Sequence, residues 1–420
     1  MAEQSICKPH GSMRYRNNDK GTEDKVLPEL YEDRANCCGC SACCAICPVR
    51  AIVMEPDEEG FLYPIVDAEK CIRCYRCTSA CAFKEDQRIH EYPGGEVVGK
   101  RFPKTEVYGG RLRDREKLLA SSSGGAFTAL SDVFLGRGDA VACSTYNFET
   151  HQQEYRIIET AAERNEARGS KYVQSIPGSI FKEIEMWLMR YPNRKLLFVG
   201  MGCQSAGFQK YAEMKGFRDR MTVVDIICHG SPSPQIWRKY AEILEKKSGK
   251  MSALTFKDKR NGWKSPTPVA VMGGKEYLLR EYVKIFYSQK ALRLSCHQCP
   301  YAAMQRHTDI TIGDFWHIED KRPENYDKDG TSLFLIHTEK GKEIFESAKP
   351  ALSWFESNIS ECWQLNLERP TPMDKDREKF WKDYRNHGVE YLIHKYGNDS
   401  LVVRATKKAK KIIKRIINKA

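Results

Sequence analysis

From about residue 105 onward the chain alternates short, nearly unbroken apolar runs with stretches in which apolar residues recur every three or four positions. KLLFVG and MTVVDIICHG are of strand length and each ends at a glycine. PQIWRKYAEILEKK, which follows the second, has the spacing of an amphipathic helix. Upstream, SSSGGAFTALSDVF sets a serine and glycine turn ahead of a helix whose apolar face is Ala126, Phe127, Leu130, Val133 and Phe134. This alternation predicts an α/β body. The most apolar runs, KLLFVGMG and TSLFLIHT, fall short of the roughly eighteen apolar residues that cross a bilayer, so no membrane helix is expected.

Five segments are predicted. Residues 1–30 form a loose leader, and 31–90 a cysteine-dense module whose exit, YPGGEVVGKRFPK, reads as a linker. Residues 105–190 and 191–370 make two parts of the body, and 371–420 a helical region ending in a basic tail. The leader is polar and charged with no apolar core, the pattern of a cytoplasmic chain. In a reducing compartment 17 cysteines are poorly explained as disulfides, and their clustering points to metal or redox chemistry. The formal charge of +12 falls to +4 without residues 402–420, which hold eight Lys or Arg and no acid. Basicity belongs to the tail, and the body gives no reason to expect a nucleic-acid partner.

Cys37, Cys40, Cys43 and Cys47 follow the pattern C-x2-C-x2-C-x3-C with Pro48 behind them; Cys71, Cys74, Cys77 and Cys81 repeat it, with Ala82 in place of the proline. Three cysteines at intervals of three wrap one corner of an iron-sulfur cube, while the fourth reaches the partner cube. Two [4Fe-4S] clusters are therefore predicted, one on Cys37, Cys40, Cys43 and Cys81, the other on Cys71, Cys74, Cys77 and Cys47. Structural zinc is the alternative, but zinc sites usually separate their two pairs by about a dozen residues or more, unlike this run. Cys38 and Cys44 stand off register and read as small buried apolar side chains. Two linked cubes relay single electrons, which implies a further redox centre.

In the body, Ser121, Ser122, Ser123, Gly124 and Gly125 either hold a phosphate at a helix start or simply cap that helix. GSKYVQS offers Lys171 and hydroxyls to a pyrophosphate, although a lone lysine is ordinarily solvated surface. Two strand ends run into Gly200-Met201-Gly202-Cys203-Gln204 and Cys228-His229-Gly230, and in a parallel sheet both would share the carboxyl edge where ligands gather. With Cys296 and Cys299 they supply four thiolates for a third cube. The competing reading makes one or two of them core or pocket residues.

Taken in order, SSSGGAFTAL, GSKYVQS, the Gly200 turn, VDIICHGSPSP, FKDKRNGW, Cys296-x-x-Cys299 and DITIGDFW resemble the beta-subunit family of coenzyme F420 hydrogenases and dehydrogenases over about residues 35–360. The resemblance implies an α+β and α/β multidomain chain: a bacterial-ferredoxin-like dicluster domain, then an α/β flavin-binding body with its own iron-sulfur cluster. Electrons would pass between clusters, FAD and a deazaflavin or another small organic acceptor. The resemblance also implies that Ser121 to Gly125, Lys171 and the turn from Gly200 to Gln204 line the FAD, with Asp314 and Cys203 nearby. The family turn usually reads Gly-Thr-Pro-Cys-Gln; Met201 and Gly202 here lack the hydroxyl and the proline, which loosens it. His229 is expected either to donate a proton beside the flavin or to hydrogen-bond the cluster edge. A flavin suits the junction, because it links one-electron carriers to a two-electron acceptor.

The expected protein is a cytoplasmic iron-sulfur flavoprotein oxidoreductase with a small-molecule redox substrate and a protein electron donor or acceptor. The alternatives are a relay subunit whose substrate site lies in a partner, and a non-catalytic iron-sulfur protein tethered by its tail. In that tail Ile412, Ile413, Ile416 and Ile417 form one stripe opposite the lysines, suited to peripheral membrane contact, to packing on the body, or to a disordered solubilising role. It has no aromatic residue to stack on bases.

Overall fold

The computed structural model describes residues 26–86, 105–264, 267–304 and 306–398. Most of the leader, the whole Gly- and Pro-rich exit and the whole basic tail lie outside the described residues. In the cysteine module, helices Ala42–Ile46, Arg76–Ser79 and Ala82–Asp86 surround an antiparallel hairpin of β1 (Ile52–Pro56) and β2 (Leu62–Val66). The backbone is left-handed at Gly39 and Ser41 in the first run and at Arg73 and Tyr75 in the second, with φ of 70°, 64°, 54° and 56°. These positions correspond, so equal spacing has produced two copies of one turn. Left-handed backbone costs a residue other than glycine on the order of 1–2 kcal/mol. Three such residues carry that cost where the chain wraps its cysteines.

The body runs through β3 (Glu106–Leu112), β4 (Ala140–Asn147), β5 (Gln152–Ile158), β6 (Ser175–Ile176), β7 (Leu196–Met201), β8 (Met221–Ile226), β9 (Met251–Asp258), β10 (Thr267–Met272), β11 (Lys275–Leu278), β12 (Ile310–Asp314), β13 (Ser332–Ile336) and β14 (Leu352–Ser357). Nine of these form one sheet in the order β14-β3-β13-β12-β8-β7-β4-β5-β6, so segments 105–190 and 191–370 share a layer. The four central strands, β12, β8, β7 and β4, are parallel. Leu196–Val199 and Met221–Asp225 are buried throughout, as strands covered on both faces must be. The flanks differ from a purely parallel reading: β13 runs antiparallel to β12, and β5 to β4. Between β12 and β13 only a four-residue helix, Ile318–Lys321, and a short 3-10 turn intervene, too little for the crossover a parallel neighbour needs.

Helices Ala126–Gly136 and Glu339–Ala348 cover one face of the sheet, and Ile180–Arg190 and Gly202–Lys215 the other. The cysteine module joins that second core: Ala42, Ile46, Ile52 and Met54 pack in one apolar cluster with Phe181, Ile184, Phe208 and Tyr211. Helix Gly202–Lys215 reaches the module through Gly207, where a Cβ would stand 2.7 Å from Cys40 Sγ. A Gly207→Leu variant is expected to force the two apart, lowering stability by about 1–3 kcal/mol through overpacking, and to lower iron content if Cys40 is a ligand as its spacing predicts. Anaerobic urea denaturation with iron analysis checks this, and an unchanged midpoint would contradict the close contact. A third core joins β9–β11 to helices Pro234–Ser248, Arg280–Tyr287 and Arg377–Gly397 around Trp237, Tyr282 and Trp381. Among the described residues no helix is long and apolar enough to cross a membrane.

Candidate functional site

The structure brings cysteines of the two runs together. Cys37, Cys40, Cys43 and Cys81 surround a small cavity of about 20 Å³. Burial first, then the crowding of Cys40 and Cys37, pushes the Cys81 thiol up to about 12. In the other set Cys77 lies in the field of Cys47 and Cys74. Backbone amides point at the sulfurs: Gly39 at Cys37, Ala42 at Cys40, Cys44 at Cys43, and Ala51 at Cys47 with N···S of 3.2 Å. Soft sulfur donors met by N–H groups fit thiolates bound to iron-sulfur clusters. Among the described residues no three Cys, His, Asp or Glu side chains close to the spacing of a single bound ion. Cys74 is exposed, whereas the first set faces the body, so the module has an outer and an inner site.

Both off-register cysteines are buried, and both have work for their thiols. Cys44 Sγ donates to Ile52 O at 3.1 Å. The Cys38 thiol hydrogen-bonds with those of Cys40 and Cys203, linking the inner site to the body. Cys203 opens helix Gly202–Lys215, Cys228 follows β8, and Cys296 and Cys299 sit in and just after the 3-10 turn Leu294–Gln298. These four thiols feel one another. Burial is the largest influence on Cys228, Cys296 and Cys299, and each is pushed up to about 12. Amides of Gly230, Tyr301 and Ala302 face Cys228 and Cys299, and Ser231 N donates to Cys296 Sγ at 3.3 Å. Cys38, Phe83 and Tyr301 pack with Cys40, Cys81, Cys203 and Cys299 in one group, so the inner and third sets are neighbours.

Arg306, which the sequence reading missed, sits beside this third set. Its guanidinium pairs with Asp225 Oδ2 at 2.9 Å, with both side chains 1% exposed, and its field favours the ionised forms of Cys228 and Cys299. Asp225 opposes this effect at Cys228, so the ion pair offsets only part of the burial that disfavours a thiolate there.

Beyond Cys228, along the carboxyl edge of the central strands, opens a cavity of about 470 Å³. Ser121, Ser122, Ser123, Gly125, Lys171, Gly200, His229 and Asp314 all line it. The serine turn is nevertheless committed to internal bonds. Ser121 Oγ donates to Lys117 O at 2.7 Å, Ser122 Oγ accepts Ser170 N at 2.8 Å, and Ser123 Oγ donates to Thr331 O at 2.7 Å. Ser332 Oγ accepts the amides of Gly124 and Ala126. A Cβ on Gly124 would meet Gly110 O at 2.3 Å, so this glycine serves strand packing rather than an approaching ligand. The Lys171 ammonium caps the carbonyls of Ala167, Arg168 and Gly169, and burial lowers it to about 8. Gln204 stands behind the wall, fully buried, accepting from Tyr155 Oη at 2.8 Å and donating to Ser175 O at 2.7 Å.

At the other end of the cavity Asp314 forms an ion pair with Lys257, whose Nζ lies 5.6 Å from the centre of the Trp316 ring. Lys257 and the stacked pair Tyr172 and Phe286, 4.7 Å apart, were not singled out from the sequence; FKDKRNGW was the available signal for the lysine. Burial lowers the pKa of His229 and a hydrogen bond with Asn366 offsets part of this; among the described residues its Nε2 has no partner within hydrogen-bond distance. The Thr371 hydroxyl donates to His229 O at 2.5 Å, fixing the backbone from which the ring projects.

Comparison with known proteins adds three findings. Residues 193–360 match the family model for the C terminus of the coenzyme F420 hydrogenase/dehydrogenase beta subunit, and residues 62–83 match a 4Fe-4S binding domain. Over 53 residues the chain is 36% identical to an uncharacterized ferredoxin of Methanocaldococcus jannaschii, covering 13% of this chain and 68% of the ferredoxin. A chain in the structure of the F420-reducing [NiFe] hydrogenase complex from Methanosarcina barkeri superposes with a TM-score of 0.41 at 18% identity, spanning 69% of this chain and 89% of that one.

Proposed function

Because the chain belongs to the coenzyme F420 hydrogenase/dehydrogenase beta-subunit family and carries a 4Fe-4S ferredoxin-type domain ahead of that body, we propose that it exchanges electrons between a protein carrier and a small organic hydride acceptor held with FAD in the large cavity. As an iron-sulfur oxidoreductase-type subunit it requires a path from surface to cavity. The observation that carries the reading is the continuity of thiol sets. Exposed Cys74 marks the outer site, Cys40 and Cys81 of the inner site pack with Cys203 and Cys299, and Cys228 and His229 stand on the cavity wall. In this reading Cys203, Cys228, Cys296 and Cys299 hold a third [4Fe-4S] cluster, and the deazaflavin coenzyme F420 is one candidate acceptor. The clusters supply one-electron steps, and the flavin converts them to two-electron chemistry.

The chain's own residues supply the rest. Burial disfavours the His229 cation, and its Nε2 can give or take a hydrogen bond at a bound ring. Asp314 is occupied by Lys257 and therefore acts by orienting that cation toward the cavity wall rather than as a free acid. Tyr172, Phe286 and Trp316 give flat apolar surface for a ring system. A volume of about 470 Å³ lies within the range of cofactor pockets. Around the outer site, exposed Val49 and Ile72 stand with Arg50, Lys70 and Arg76, a surface suited to a protein carrier. Peripheral membrane contact through residues 402–420 remains a separate proposal.

Anaerobically purified protein should carry flavin, with an iron-to-flavin ratio of about twelve to one for three cubes and about eight to one for two. Absence of flavin would sink the enzyme reading. Bleaching of the flavin by a reduced deazaflavin would separate it from a relay whose substrate site lies in a partner.

A further inference from the structure

The junction between the ferredoxin-type module and the body is built on one buried cation that the chemistry above leaves unused. Arg293, three residues before Cys296, is fully buried. Its Nε donates to Cys37 O at 2.8 Å, one terminal nitrogen to Leu62 O at 2.9 Å, and the other to Gln174 Oε1 at 3.4 Å. Gln174 Nε2 in turn donates to Cys38 O at 3.0 Å. The Tyr63 ring lies 4.2 Å from its Cζ. Among the described residues its acceptors are neutral carbonyls and an amide, with the Cys37 sulfur as a further partner. A buried guanidinium bonded to no carboxylate is costly unless negative charge stands nearby.

The sulfur groups within reach belong to two different sets. Arg293 feels Cys37 of the inner site and Cys296 of the third set, along with Cys38. Backbone geometry fixes the same neighbourhood. Arg293 N donates to Ser231 O at 3.0 Å, Cys296 N donates to Arg293 O at 3.0 Å, and a Cβ on Gly39 would stand 2.9 Å from Arg293 Nη1. Asp57 also senses this cation, but its carboxylate accepts from Arg34 at 3.3 Å.

We infer that Arg293 is the shared counter-cation of the inner cluster site and of the site formed by Cys203, Cys228, Cys296 and Cys299, raising the reduction potentials of both. The inference rests on the reading that both sites hold clusters. A cube on four thiolates is a net anion, and each electron added makes it more negative, so one fixed cation in a low-dielectric junction eases reduction of both. The outer site, with Cys74 exposed, is screened by solvent and lies outside this arrangement. Arg293 is a positioning residue, since it lines neither the cavity nor any substrate surface.

The test uses the full-length protein, titrated anaerobically with dithionite as electron donor and followed by EPR, with iron counted in each preparation. Arg293→Met should lower the midpoints of the inner and third clusters, each by the equivalent of a tenfold fall in the reduction equilibrium, about 59 mV for one electron, and leave the outer cluster in place. Arg293→Lys, which keeps the charge, should restore part of the shift. Gln174→Glu keeps the arginine but sets a carboxylate against it, and should lower the same two midpoints; it decides the matter alone if Arg293→Met does not assemble. Unchanged midpoints at full iron content, or an equal shift of the outer cluster, would overturn the shared role of Arg293. Wild-type protein holding only two clusters would instead overturn the third-cluster reading, and this proposal with it, before any variant is made.

Discussion

Serine in place of Cys81 is expected to strip iron from the inner site, not from the run to which Cys81 belongs. Cys81 shares a cavity with Cys37, Cys40 and Cys43, while Cys77 of its own run lies in the field of Cys74 and Cys47. A hydroxyl is a poor replacement for a soft thiolate. Iron should fall from about twelve toward about eight per chain, and the lost EPR signal should be that of the shielded cluster. Reduction of the flavin through the outer site should drop to background, because the inner site is the one packed against Cys203 and Cys299. Cys47→Ser should instead remove the outer cluster beside exposed Cys74. A solvent-borne chelator, which reaches the outer site first, tells the two losses apart. Loss of the outer cluster in Cys81→Ser would show that the runs do not exchange ligands and would break the path from surface to cavity.

The approach of Cys81 to Cys37, Cys40 and Cys43 was legible because spacing is local: the offset of a cysteine from its neighbours fixes which way its sulfur can reach, and left-handed turns at Gly39 and Arg73, and at Ser41 and Tyr75, occur in both runs. The meeting of Cys203 and Cys228 was legible for a different reason, since parallel strands place their ends on one edge. The serine and glycine turn was only half readable. Its place on the cavity wall followed from the motif, but its bonds go to Thr331 and Ser332, about two hundred residues away and invisible to any local pattern. Lys171 was read as a cation for phosphate, whereas nearby carbonyls hold it. Strand direction on the flanks was hidden because an apolar run carries no arrow. Arg293 and Arg306 escaped altogether: in sequence a buried arginine looks like a solvated one, and only the tertiary fold shows that no water reaches it.

Glu59→Ala should cost about 3–5 kcal/mol, the range for a buried ion pair that loses one member. Glu59 sits at the tip of the β1–β2 hairpin and receives both terminal nitrogens of Arg377, one at 2.9 Å, with each residue only 7% exposed. The same arginine donates to Leu292 O at 3.0 Å, next to Arg293, and Ser233 Oγ donates to Glu59 O at 2.5 Å while accepting the Ile236 amide. The Glu59 carboxylate therefore ties the ferredoxin-type module to helix Arg377–Gly397, and through Arg377 to the loop that leads to Cys296, while the Glu59 backbone carbonyl receives the start of helix Pro234–Ser248. Removing it strands a buried guanidinium whose Nε is already unpartnered. Anaerobic urea titration should show the lowered midpoint, and limited proteolysis should release the module before the body unfolds. Glu59→Gln, which keeps the shape and one acceptor, should lose less. Equal stability of wild type and Glu59→Ala would mean that apolar packing of Ile46, Ile52 and Met54 against Phe208 holds the two parts together without help from this pair.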